Sequence, residues 1–133
     1  MTAVPPPPSQ TPGYLPVAEM NPADQRLWST LAHVGGIVGN FFSAGWIVAL
    51  VAYLILKERG AFVRSHTATE LNFQLTLLIA YLGAFVITLV SFGVLFIVLL
   101  VPAVIGIVFG IIAALAANKG EFYSYPVSIR FVS

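Results

Sequence analysis

Val94 to Ala117 is a run of 24 residues without a charge, and sixteen of them are Leu, Ile, Val or Phe. Each such residue favours bilayer insertion by about 0.3–0.6 kcal/mol, so the run gains roughly 5–10 kcal/mol from entering a membrane. As a helix it covers about 36 Å, against a hydrocarbon core of about 30 Å. Composition extends the constraint to the whole chain. Apolar residues make up 59% and charged residues 8%, where soluble domains carry about 25% charged. The sequence therefore predicts one domain of an integral membrane protein. A net charge of +1 without a basic patch argues against a nucleic-acid partner. The absence of cysteine removes disulfides and thiolate chemistry. Residues 1–20 lack the basic n-region and apolar h-region of a cleavable signal peptide, and none is expected.

Residues 1–20 hold Pro5 to Pro8, Pro12 and Pro16 and read as a disordered, solvated tether on the cytoplasmic side. Asn21-Pro22 has the chemistry of a helix start, with a modestly apolar helix over about 22–39. There Arg26, Ser29, Thr30 and His33 fall at i, i+3, i+4 and i+7 and share one face. The turn residues of Asn40 to Gly45 lead into WIVALVAYLIL, which stops at Lys57-Glu58-Arg59-Gly60. A third helix is expected over about 61–90, in which Leu71 to Val90 is long enough to cross a bilayer. Ser91-Phe92-Gly93 is the expected reversal, and the fourth helix covers about 94–118 with a kink at Pro102. After it, Phe122, Tyr123 and Tyr125 suit the headgroup zone. Val127, Ile129 and Phe131 alternate with polar residues, the period of an extended segment.

Two topologies fit. Val34 to Leu56 forms one long span of three, or residues 22–39 and 43–58 form two short helices of four. In the four-helix version every charged residue lies on one side, and the loops at 40–45 and 91–93 carry none. The positive-inside rule makes that side cytoplasmic. The favoured fold is an all-α four-helix transmembrane bundle, its first two helices a short hairpin, with an extended C-terminal segment. It would sit in the plasma membrane as a multi-pass protein with both termini cytoplasmic. Gly35 and Gly39, and Gly106 and Gly110, form GxxxG pairs suited to close helix packing. The lipid bilayer is one expected partner; a membrane protein or a second copy of the chain is another.

The densest polar chemistry is FVRSHTATELNFQ, residues 62–74. On a helix His66, Glu70 and Gln74 form one stripe at i+4 spacing, and Thr69, Asn72 and Thr76 form a second. The candidate cluster is Arg26, His33, Arg64, His66, Glu70, Asn72, Gln74 and Arg130. In it Glu70 pairs with His66, Arg64 or Arg130 serves as counter-ion, and His33 stands opposite. The bland reading is a set of helix–helix hydrogen bonds that fix packing. Two histidines without a carboxylate cluster do not suggest haem or metal, so no cofactor is expected. No nucleophile elbow, HExxH or phosphate loop is present, and no enzyme activity is expected. An accessory or scaffold role through protein contacts leads. An oligomeric solute or proton conduit through His66, Glu70 and Asn72 is the alternative.

Three blocks carry a family resemblance: Arg26 to Gly36, Phe62 to Gln74, and Ala117 to Phe131 with its Tyr125-Pro126 and Ile129-Arg130-Phe131. On these the chain resembles the small bacterial membrane proteins of the domain-of-unknown-function family DUF 4870, grouped with the chloroplast import component Tic-20. The resemblance covers about residues 24–132. It implies a four-helix membrane domain with cytoplasmic ends and, by distant analogy, a link to protein translocation.

Overall fold

The structure is a computed structural model, and it describes residues 17–133. The proline-rich tether expected over 1–20 lies, up to residue 16, outside the described residues. Four helices follow in order: α1 (Pro22–Asn40), α2 (Gly45–Leu56), α3 (Ala61–Val90) and α4 (Leu100–Lys119). No strand occurs among the described residues.

Local chemistry sets the helix ends. The Asn21 side chain accepts the Asp24 N–H at 2.8 Å, and Pro22 follows at a position where a missing N–H costs nothing. Asp24 in the first turn also suits the positive end of the helix dipole. α3 starts differently, because Gly60 (φ +147°) offers it no capping side chain. Gln25 reaches across from α1 instead, and its Oε1 accepts the N–H groups of Phe62 and Val63 at 3.2 and 3.3 Å. Its Nε2 donates to the Met20 carbonyl at 2.9 Å. A Cβ on Gly60 would collide with that amide. α4 ends at Gly120 (φ +80°), and Glu121 N–H returns to Ala116 O at 2.9 Å. This is a left-handed C-terminal cap.

The chain runs up, down, up, down. α1 is the hub: it packs on each of the other three helices, whereas α2 and α4 do not touch. Glycines set the close approaches, and both GxxxG pairs are spent inside the chain. Gly35 and Gly39 face Val48 and Gly45 of α2. Gly106 faces Leu77 of α3, and Gly110 faces Ile37 of α1.

Three expectations need correction. α2 is 12 residues, about 18 Å long, rather than the 16 expected over 43–58. It is too short to match a hydrocarbon core of about 30 Å. Among the described residues, only α3 and the stretch Phe96–Lys119 are long and apolar enough to cross a membrane. Pro102 does not break a continuous helix. The segment begins as a single 3-10 turn, Phe96–Leu99, and Pro102 falls in the first turn of α4, among donors that lack partners in any helix. Residues 121–133 form no strand. They descend alongside α3, turn near Pro126-Val127 and climb back, so that Ile129 N–H meets Thr76 Oγ1 at 2.9 Å and Ser133 O meets Arg64. Ile129 and Phe131 stay exposed, and the expected apolar face is not buried.

The molecule is stepped. Ser43 and Trp46, at the tip of the α1–α2 hairpin, share a cavity with Tyr81, Leu82 and Phe85 of α3. α3 then continues to Val90, about 8 Å beyond Phe85, with only the start of the α4 segment beside it. Leu82, Val86, Val90, Phe92 and Val94 are all exposed there. At the other end the α1 start, α2 end, α3 start and α4 end meet. Met20 N–H bonds Arg59 O at 2.8 Å and Gln25 bonds Val63. Every charged residue except Glu70 sits at this end or in the tail folded against it.

Candidate functional site

The i+4 spacing of His66, Glu70 and Gln74 brings all three to the α3 face that meets α1. Opposite them α1 presents His33 and Gly36. All but the glycine carry polar side chains, and His33, His66 and Glu70 are at most 1% exposed. Gly36 makes the approach possible, since a Cβ there would overlap Glu70 Oε1 and lie 2.6 Å from Gln74 Nε2.

The groups form one hydrogen-bonded file. His66 Nε2 lies 2.9 Å from the Glu121 carbonyl. A carbonyl only accepts, so this nitrogen carries the proton. His66 Nδ1 is 2.9 Å from His33 Nε2, and in a neutral His66 it is the acceptor. His33 Nδ1 is 2.6 Å from Glu70 Oε2. Tyr125 donates its hydroxyl to the same oxygen at 2.5 Å, and Gln74 Nε2 donates to Oε1 at 2.7 Å. One proton is thus held between His33 and Glu70, whichever partner owns it. Glu70 is fully used: both oxygens accept, which a buried carboxyl requires.

Tyr125 is the member the sequence reading misplaced. It is 4% exposed, not a headgroup aromatic. Its ring stacks on Phe73 with centroids 3.7 Å apart and planes 7° from parallel. Burial first, and then the Glu70 carboxyl, push its phenol well above the usual range. The signal for it is long-range, 55 residues from Glu70, and no local periodicity carries it.

The second stripe of α3 serves the tail. Asn72 Oδ1 accepts the N–H groups of Phe131 and Val132 at 2.7 and 2.8 Å, and Nδ2 donates to Val132 O at 2.9 Å. Asn72 therefore does not join the His66–Glu70 file. Neither arginine acts as counter-ion to Glu70. Arg64 is exposed and donates to Ser133 O at 2.9 Å. Arg130 is exposed and, with Arg64, lines a polar cavity under the tail. Glu70 pairs directly with His33, and His66 reaches it only through His33. Arg26 also lies outside the cluster. It is exposed, and its guanidinium rests beside Gly120. The buried face of α1 is instead Gln25, Ser29, His33 and Gly36, turned one position from the face the spacing suggested. Gln25 was missed altogether, because its role is to cap another helix.

Each ring nitrogen of His33 and His66 is engaged within the file, and no group of three His, Cys, Asp or Glu among the described residues is arranged to hold a metal ion. The site is built to join α1, α3 and the tail. A family model described as magnetosome magnetite crystal formation, MamF/MmsF, matches residues 24–132. The chain belongs to this magnetosome family. No curated protein and no solved structure matches it.

Membership in the magnetosome magnetite crystal formation family overturns the resemblance to DUF 4870 and Tic-20. The three blocks that suggested it, Arg26 to Gly36, Phe62 to Gln74 and Ala117 to Phe131, all lie inside the matched residues. The link to protein translocation falls with it. In this magnetosome family member the match takes in all four helices, the His33–Glu70 pair and the tail to Val132.

Proposed function

We propose that the protein is a non-enzymatic component of the magnetosome membrane that takes part in magnetite crystal formation through contacts with other membrane proteins. The family match supplies the process. The observation that carries the membrane part is the distribution of surface: exposed Leu, Ile, Val and Phe clothe α3 and α4 to their far end, where no charge occurs. In this reading α3 and α4 cross the bilayer. The α1–α2 hairpin enters from the charged side, and the described chain begins and ends on that side, the cytoplasmic one. Residues 21–132 act as one domain. The His33–Glu70 file locks α1, α3 and the tail into a single rigid head. Its polar groups satisfy one another, which leaves no free nucleophile or base and supports a structural role.

Two measurements test this. Alkaline carbonate should leave the full chain in the membrane pellet; release into the supernatant would remove the membrane reading. Deleting the gene in a magnetosome-forming host should alter magnetite crystals seen by electron microscopy, and wild-type crystals would remove the role in crystal formation. Mild-detergent purification from that host should also recover a stoichiometric protein partner, and a solitary chain in every detergent would remove the accessory role.

A second reading has one observation behind it. The file from the Glu121 carbonyl through His66, His33 and Glu70 to Gln74 continues to a cavity of about 320 Å³ lined by Gln74, Asn40 and Ser43. The file itself is a polar track directed inward from the charged end, as a proton path would be, and it opens on a cavity whose other walls include Leu77, Leu78 and Phe85. Proton flux into liposomes that falls with Glu70→Gln would support it, and no flux at any pH would end it.

A further inference from the structure

Between α1 and α2 runs an apolar groove of about 680 Å³. Trp28 and Leu31 line it from α1, Ile47, Val51 and Ile55 from α2, and Arg59 closes its charged end. No carboxylate is among its lining residues. Arg59 Nε is buried and has no hydrogen-bond partner among the described residues. Arg59 as a whole is only half-buried, so its guanidinium stands at the mouth of the groove, open to an acceptor that the described residues do not supply. That acceptor is anionic, because a guanidinium pairs best with phosphate or carboxylate. What fills the rest of the groove is apolar, because its walls are.

We propose that this groove holds one anionic phospholipid, with its phosphate on Arg59 and an acyl chain between α1 and α2. The proposal rests on the membrane reading above. Dimensions agree with it. From Ile47 to Ile55 the helix rises eight steps, about 12 Å, and one leaflet contributes about half of the 30 Å hydrocarbon core. The groove is therefore one leaflet deep and opens at the charged end, where headgroups lie. A protein helix, about 10–12 Å across with its side chains, offers no anion at the Arg59 end unless it brings its own carboxylate.

The test uses the full chain in nanodiscs of equimolar phosphatidylglycerol and phosphatidylcholine, then detergent extraction and native mass spectrometry. One phosphatidylglycerol per chain should survive extraction, in at least tenfold preference over phosphatidylcholine. Arg59→Gln should lower the retained fraction at least tenfold. Ala52→Trp, which fills the groove from α2 and leaves Arg59 in place, should do the same. Lys119→Gln, at the same end but away from the groove, should leave retention unchanged, and millimolar inorganic phosphate should not displace the lipid. Circular dichroism and gel filtration identify a variant that fails to fold; the second variant then decides. Equal retention of both lipids, or retention indifferent to both substitutions, overturns the proposal. So does a groove filled by a partner protein or a second copy. A chain that resists carbonate but retains no lipid refutes the groove assignment alone, and a chain released by carbonate refutes the membrane reading itself.

Discussion

Gly36 decides how closely α1 and α3 approach. In an exposed helix, replacing glycine by alanine gains about 1 kcal/mol. At Gly36 the sign reverses, because the new Cβ would displace Glu70 from its partners. Gly36→Ala should lower the thermal midpoint in detergent, whereas Gly83→Ala, with nothing near its Cβ, should not. His33→Ala removes the partner of a buried carboxyl and should cost about 3–5 kcal/mol, read as a shift in the denaturant midpoint. Tyr125 adds a pH dependence. Its phenol is held neutral in the fold well above the usual range. The stability it contributes is complete below the unfolded value of about 10 and falls as pH rises past that. Melting between pH 8 and 11 should show the decline, and Tyr125→Phe should flatten it. Of these residues, His66, Glu70 and Gln74 were legible in the sequence, since i+4 spacing is local. That Glu70 pairs with His33 rather than His66 was not, because side chains one turn apart on one helix stack along it while their polar ends point across to the neighbour. Gln25 was hidden for a similar reason: capping rules describe a residue's own helix.

At the scale of elements, the least apolar helix occupies the centre. α1 is poorly suited to lipid along its polar side, and packing on three neighbours buries that side. His33 finds its partners on α3 and the tail, and Gln25 caps α3. Helix existence was legible throughout, because caps, turns and apolar runs are local signals. The course of residues 121–133 was not. Their alternation suggested an extended segment with one apolar face, but not what would hold it, and here the partners are the side chains of Asn72 and Thr76. Asn72→Leu deletes three such bonds at about 1 kcal/mol each. It should free the tail while α1 and α3 stay joined. Limited proteolysis should then cut after Arg130, with the helical circular dichroism unchanged; a tail still protected would show that Asn72 does not hold it.

At the scale of the whole molecule, the sidedness of charge was legible before the fold, and the depth of each helix was not. Hydropathy gives the length of an apolar run but not where a neighbouring hairpin stops, and α2 proved shorter than its apolar content allows. The chain has no cysteine, so single substitutions report topology without background. Cysteine at Lys57 should react with an impermeant maleimide from the cytoplasmic face and cysteine at Phe92 only from the opposite face. Cysteine at Phe42, on the tip of the shorter hairpin, should react from neither. Labelling of Phe42→Cys from the Phe92 side would establish four full crossings.

The step between the two hairpins has a mechanical consequence. Inserted as proposed, the molecule displaces four helices' worth of area in one leaflet and only two in the last 8 Å or so of the other. It is a cone with its broad base toward the charged side. A cone sits at least cost in a sheet that is convex on the side of its base, so bending energy alone would sort this chain toward small vesicles over flat membrane.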